Sequence, residues 1–288
     1  MTKNNTQFPN AMLIAEIGCV HAGDMTRAKM LITLAKENGA DIAKFQKRNP
    51  EESTPKALWN QPHPNKMFSY GDTYLEHRKN LELTIEQHKE LKDYCESTGI
   101  IYSTSVWDIT SAKEIIELNP LFIKIPSAQN YNTELLKYIY DNYTGFVHIS
   151  LGMTLENERK RIFTFITEND NRYNRTVIYH CTSAYPCPFE NLYLREIPEL
   201  CKKFPIVGFS NHGYGIAADI ASYALGATFI ERHFVDDRTF RHTDAAASLE
   251  PQGLQKLSRD LKAIQKAMMN KPEVMDKLEQ EQRNKLRA

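Results

Sequence analysis

Short runs rich in β-branched and aromatic residues recur along the chain at 11–18, 42–46, 100–105, 122–127, 146–152, 176–183, 206–212 and 229–234. Each reads as a strand. Between them lie helix-like stretches at 24–38, 84–98, 111–118, 132–141, 155–168, 192–203, 215–225 and 251–269. Thr84, followed three residues later by Gln87, has the spacing of a capping box. Strands that are largely apolar and alternate with helices predict a parallel sheet. The count of eight predicts closure into a (β/α)8 (TIM) barrel, an α/β fold of one domain. No GxGxxG joins a strand to a helix, which disfavours a dinucleotide-binding sheet.

The barrel is expected over residues 1–270 of the 288. Residues 47–83 interrupt the rhythm with Pro50, Pro55, Pro62 and Pro64 and the aromatics Trp59, Phe68, Tyr70 and Tyr74. So long a loop after the second strand reads as a lid or binding loop, or else as a surface insertion. Residues 271–288 are strongly charged and read as a solvated helix or a frayed end.

Thirty-six basic residues balance thirty-six acidic ones, so no electrostatic footprint for nucleic acid or an acidic membrane appears. An anionic ligand must be held by local charges. The N-terminus lacks a signal peptide's apolar stretch, and no segment approaches the roughly 20 apolar residues of a membrane span, so the chain reads as cytoplasmic. Five cysteines without a CxxC pair fit buried, reduced thiols.

In a barrel, chemistry gathers where the strands end. The successive strand ends offer Glu16; Lys44 and Gln46; Ser103 and Thr104; Lys124 and Ser127; Ser150; Thr182, Ser183 and Tyr185; Ser210 and His212; and Glu231 and His233. Lys44 and Lys124 interrupt apolar strands, and an unpaired buried ammonium is costly. Each therefore points toward a bound anion, or pairs with a barrel carboxylate such as Glu16 or Glu231. His212 and His233 end adjacent strands, a placement suited to a metal with open positions. His148 and His180 read as ordinary hydrogen-bonded histidines. Asp244 could serve as a third ligand, a base or a partner for sugar hydroxyls, or pair with Arg238, Arg241 or His242 nearby.

These residues also carry a family resemblance. Ile14-Ala15-Glu16-Ile17-Gly18, Lys44-Phe45-Gln46, Tyr70-Gly71-Asp72-Thr73-Tyr74, Glu76-His77-Arg78 and His180-Cys181-Thr182-Ser183-Ala184-Tyr185-Pro186 are its first half. Asn191-Leu192 with Leu194-Arg195, Ser210-Asn211-His212, Ala224-Leu225-Gly226-Ala227, Glu231-Arg232-His233-Phe234 and Ser248-Leu249-Glu250-Pro251 complete it. In this order and spacing the chain resembles the sialic acid (N-acetylneuraminate) synthases and their relatives for legionaminic and pseudaminic acids.

The resemblance implies a barrel enzyme, a transferase that condenses phosphoenolpyruvate with a sugar aldehyde to give a 3-deoxy-2-keto acid and phosphate. It implies that His212 and His233 hold a divalent metal, Mn2+ in expectation, with Mg2+ or Co2+ as alternatives. Lys44, Gln46, Lys124, Ser127, Ser150, Ser183 and Ser210 match positions around phosphoenolpyruvate. Glu16, Thr104, Tyr185 and Asp244 match positions near the reacting carbons or the sugar, with Glu16 handling protons. Gln129 stands where many members carry a substrate-facing acid, Asn211 where an Asp commonly precedes the first metal histidine, and Ala245 where a His commonly follows Asp244. With the family's C-terminal antifreeze-like domain expected to be absent, these departures point to an altered aldehyde pocket. A homodimer is expected by the same resemblance. Two rivals stand beside this reading: an aldolase using Lys44 or Lys124 as a Schiff-base nucleophile, and a non-catalytic barrel.

Overall fold

The computed structural model describes residues 8–170 and 174–287. Eight strands run in chain order: β1 Met12–Gly18, β2 Ile42–Lys47, β3 Ile101–Val106, β4 Phe122–Ile125, β5 Phe146–Ser150, β6 Thr176–Cys181, β7 Val207–Asn211 and β8 Phe229–His233. Each pairs in parallel with the next, and β8 returns to β1, closing the barrel. Crossover helices cover the outside, so the strands are buried on both faces, as their apolar sequences require.

The period of two along each strand divides the core. Leu13, Ala15, Phe45, Ile123, Val147 and their like face the helices and form the larger apolar cluster. Ile14, Ile42, Phe122, Val177, Tyr179, Ile206 and Phe229 point into the barrel and form the second. Phe8 closes its lower end, its ring 4.9 Å from Phe229 and 5.1 Å from Phe146. A side chain at Gly208 would put a Cβ 2.4 Å from the Tyr179 ring, so the glycine makes room for that ring inside the barrel. Burying each such aromatic contributes about 1.5–3 kcal/mol. With the lower half filled, only the upper half has room for ligands.

Several local expectations hold. The helix Ile85–Thr98 begins with both hydrogen bonds of the Thr84/Gln87 capping box and ends at Gly99, whose φ of 73° suits a residue without Cβ. The helix expected over 192–203 is shorter, Glu196–Cys201. Pro198 lacks the N–H that a helix interior needs and is tolerated only in a first turn, so the helix starts just before it. The segment 47–83 is folded rather than a plain loop. It contains the helices Pro50–Ser53 and Tyr74–Leu81 and two 3-10 turns, the longer helix opened by a Thr73/Glu76 capping box. The tail includes an exposed helix, Lys277–Leu286. His148 accepts from or donates to the Tyr179 hydroxyl at 2.9 Å, and His180 donates to the Leu192 carbonyl at 2.7 Å, both as expected. All five cysteines are free, and no helix among the described residues is long and apolar enough to cross a membrane.

Candidate active site

The inward-facing residues above the aromatic layer line a cavity of about 390 Å³ at the C-terminal ends of the strands. Its floor is a set of charges from four strands. Lys44 Nζ lies 2.5 Å from Glu16 Oε2 and 3.7 Å from Glu231 Oε2, and Lys124 Nζ lies 3.0 Å from the same Glu231 oxygen. Lys44 also donates to Ser105 Oγ at 3.0 Å, and Ser210 Oγ donates to Glu231 Oε1 at 3.0 Å. Lys124 sits 3.5 Å above the centre of the Tyr179 ring. The lysines are thus paired with the two carboxylates named in the sequence reading, and both pairs still line the cavity.

Burial opposes the charge of Lys44, but Glu16 and Glu231 outweigh it and raise its pKa. For Lys124 burial prevails over Glu231, with Lys44 adding repulsion, and its pKa is lowered. Glu231 meets the same burial penalty, but Lys124 and Lys44 hold its carboxyl well below the usual range. Gln46 bridges outward from this floor: its amide donates to Glu16 Oε1 at 2.9 Å and accepts from the Arg48 guanidinium.

Hydroxyls form the wall above β4, β5 and β6, where Ser127, Ser150 and Ser183 line the cavity beside the Cys181 thiol. Asn130 donates to the carbonyls of Ser150 and Gly152 at 2.9 and 3.0 Å, fixing that turn. A Cβ on Gly152 would lie 2.4 Å from Ser183 Oγ and 2.6 Å from Ser127 Oγ. The glycine is what lets these hydroxyls converge.

Between floor and mouth, the rings of His212 and His233 lie 5.5 Å apart, with the Tyr185 ring 4.1 Å from His212. His212 Nδ1 donates to the Thr182 carbonyl at 3.1 Å, which leaves its Nε2 carrying the lone pair. Burial, with His233 beside it, pushes the His212 pKa down to about 3. His233 Nδ1 is buried without a hydrogen-bond partner, 3.9 Å from Asp244 Oδ2. Asp244 also approaches His242 Nδ1 at 3.7 Å, whereas Arg238 pairs with Glu250 at 3.5 Å. A neutral imidazole with a free lone pair beside an orphaned ring nitrogen is a donor set that fits a divalent metal. Among the described residues no three His, Cys, Asp or Glu side chains gather as a closed cage.

A buried network holds these two imidazoles from behind. Arg232 pairs with Asp219 at 2.7 Å and donates to the carbonyls of Gly213 and Gly215, while Asn211 donates to Asp219 and accepts from the Gly213 N–H. Arg232 and Asp219 are 1% and 0% exposed, so an extra anion here would lack a counter-ion. Asn211, being neutral, leaves one cation matched to one anion.

The mouth is closed on one side by the 47–83 segment, which supplies His63, Tyr74, His77 and Arg78 to the cavity wall. Tyr70 donates its hydroxyl to the Arg241 carbonyl, and Arg241 donates back to the Ser69 carbonyl, joining this segment to the loop after β8.

Of the residues expected at the site, Glu16, Lys44, Gln46, Lys124, Ser127, Ser150, Ser183, Tyr185, Ser210, His212, His233 and Asp244 line one cavity. Thr104 and Gln129 do not. Thr104 alternates with Ser103 and Ser105 on β3 and faces the helix layer, while Ser105 takes the inward place. Gln129 lies in a 3-10 turn after β4, and its side chain accepts from Asn132 at 3.0 Å instead of reaching the cavity. The sequence reading assigned no role to Arg48, Trp107, His63, His77 or Arg78, although His77 and Arg78 fell within a family motif.

The NeuB family model matches residues 31–273. Human N-acetylneuraminate-9-phosphate synthase is 37% identical over 258 residues, covering 89% of this chain and 70% of that protein. The N,N'-diacetyllegionaminic acid synthase of Campylobacter jejuni is 33% identical over 277 residues, covering 96% and 83%. Among solved structures, the N-acetylneuraminic acid synthetase of Leptospira borgpetersenii superposes with a TM-score of 0.81 at 26% identity, covering 96% of this chain and 93% of that one. The closed barrel, its polar mouth and these matches together identify the chain as a member of the NeuB family.

Proposed function

We propose that this protein condenses phosphoenolpyruvate with a sugar aldehyde, releasing phosphate and forming a 3-deoxy-2-keto acid of the sialic acid type. The observation that carries this reading is the convergence of two buried lysine–carboxylate pairs, a wall of serine hydroxyls and two imidazoles in one cavity. The names of the human and Campylobacter relatives, synthases of sugar acids, support it.

The donor's phosphate and carboxylate need cations and hydroxyl donors held in advance of binding. Lys124, Ser127, Ser150 and Ser183 offer these on one side, and Lys44 with Gln46 on the other. His212 and His233, with Asp244 beside them, would hold a divalent cation, Mn2+ in our reading; when bound, it polarises the aldehyde oxygen as a Lewis acid. C3 of phosphoenolpyruvate forms the new bond to the aldehyde carbon, and the aldehyde oxygen takes up a proton. Water then adds at C2 and gives up a proton, and the resulting tetrahedral centre expels phosphate. Glu16, held between Lys44 and Gln46, is the carboxylate placed to accept that proton.

The lowered pKa of Lys124 gives the Schiff-base alternative its one supporting observation. Its contact with Glu231 opposes it by keeping the ammonium charged.

The test is a panel of aldoses and acylamino sugars, with phosphoenolpyruvate and Mn2+, scored by phosphate release. Turnover that chelator abolishes is expected, with His212→Ala weakening metal binding measured directly. A borohydride-trapped substrate adduct, or a panel without turnover together with unchanged metal binding in His212→Ala, would overturn the reading.

A further inference from the structure

Lys44, Gln46 and Arg48 alternate along β2 and past its end, so all three line the cavity, while Lys47 between them pairs with Glu114 at 3.0 Å outside it. Lys44 and Gln46 meet Glu16 directly. Arg48 meets it only through Gln46. Its guanidinium is buried and held from several sides. Glu82, the residue after the helix Tyr74–Leu81, accepts from the Arg48 backbone N–H at 3.0 Å and lies 3.5 Å from Nη1. The centre of the Trp107 ring is 4.2 Å from the guanidinium carbon, and Cys19 Sγ is 3.5 Å from Nη1. The remaining terminal nitrogen, Nη2, donates to Gln46 Oε1.

The two ends of a glutamine amide have nearly the same shape, and a half-turn exchanges donor for acceptor. A guanidinium has donors only, so the oxygen of Gln46 must face Arg48. The Cys19 thiol adds a weak donor to that oxygen at 3.7 Å. The amide nitrogen is thereby turned to Glu16, donating to Oε1 at 2.9 Å, while Lys44 lies 2.5 Å from Oε2. The reverse orientation would set two acceptor oxygens against each other in a buried place, at a cost. The backbone makes room for this arrangement. The register of β1 shifts between Glu16 and Gly18, and Gly18 has a φ of 57°. A Cβ there would lie 3.1 Å from Gln46 Nε2 and 3.3 Å from Glu16 Oε1.

We infer that Arg48 is a positioning residue for Glu16: anchored by Glu82 and Trp107, it fixes which end of the Gln46 amide faces the carboxylate, and so the plane in which Glu16 receives a proton. The inference rests on the proposed condensation for the part that Glu16 plays. With Gln46 on one oxygen and Lys44 on the other, Glu16 cannot swing without breaking one of the two contacts. Without Arg48 the amide is free to turn its oxygen inward, and the carboxylate loses one of its two supports.

Two measurements test this. The first needs no substrate: urea midpoints for Arg48→Met, Gln46→Met and the double variant. The double variant is expected to shift the midpoint by clearly less than the two single shifts added together, because the residues act through one contact. Where Arg48→Met does not fold, Arg48→Met/Glu82→Gln takes its place, so that no buried carboxylate is left without its cation. The second is steady-state kinetics. Arg48→Met should lower kcat roughly 10- to 100-fold, the effect of a misplaced reacting group, with both KM values little changed. Arg48→Lys should recover part of kcat, since an ammonium is also a donor only. Additive midpoint shifts would overturn the inference. So would an unchanged kcat with a raised KM for the sugar, since Arg48 would then meet substrate through its unpartnered Nε. If the midpoints couple but no aldose in the panel releases phosphate with the parent protein, Arg48 still orients the amide and the condensation reading falls.

Discussion

Lys124 and Glu231 show how much depends on single side chains inside the barrel. Removing one member of a buried pair leaves the other charged and desolvated, typically at a cost of about 3–5 kcal/mol. Lys124→Met is therefore expected to lower unfolding stability by that order, and Lys124→Met/Glu231→Gln to recover much of it. Chemical denaturation of the two variants checks this; a single variant as stable as the parent would show that the pair is not buried as described. At this scale the sequence was legible wherever a residue type was improbable in its setting. A lysine in an apolar strand announces itself, and so does a carboxylate on a neighbouring strand. Thr104 was misplaced because a hydroxyl is tolerated on either face of a strand, so composition did not reveal its side. Counting by two from Lys124's partner across the β3–β4 ladder, Ser105, would have done so.

At the scale of elements, the segment 47–83 carries most of what the strand pattern did not show. Its prolines and aromatics marked it as more than a connector, but its helix Tyr74–Leu81 is too short for apolar periodicity to stand out. His63, His77 and Arg78 reach the cavity only because this segment folds back over the mouth, and such a return is a tertiary fact. The tie between Tyr70 and Arg241 holds it there. Tyr70→Phe removes one donor, worth about 1 kcal/mol. The expected result is faster proteolytic cleavage within 59–72 and a KM for the sugar raised several-fold, with the KM for phosphoenolpyruvate little changed. Equal rises in both constants would mean that the segment does not act on the sugar side.

For the whole molecule, eight alternations of strand and helix were enough to foresee a closed barrel, because parallel strands buried on both faces leave few other solutions. The lower plug was not foreseen: Phe8 precedes the first strand, and nothing local ties it to Phe122, Phe146 and Phe229. Phe8→Ala opens the end of the barrel remote from the cavity and is expected to lower stability by about 3 kcal/mol, the low end for a buried phenylalanine because this one is partly exposed. Thermal unfolding tests the stability change, and steady-state kinetics on the folded variant should be near those of the parent.

The self-compensated floor of the cavity has one more consequence. A pocket that kept its lysines bare would grip any phosphate strongly and release it slowly. In the proposed reaction an arriving anion would have to draw Lys44 and Lys124 away from Glu16 and Glu231, so its affinity would be the difference between two sets of contacts rather than the whole of one. Once phosphate had left, Glu16 and Glu231 would already be in place to receive the ammonium groups again. On that reading the barrel would reset itself after each turn, its internal counter-ions acting as the stand-in for the ligand that has gone.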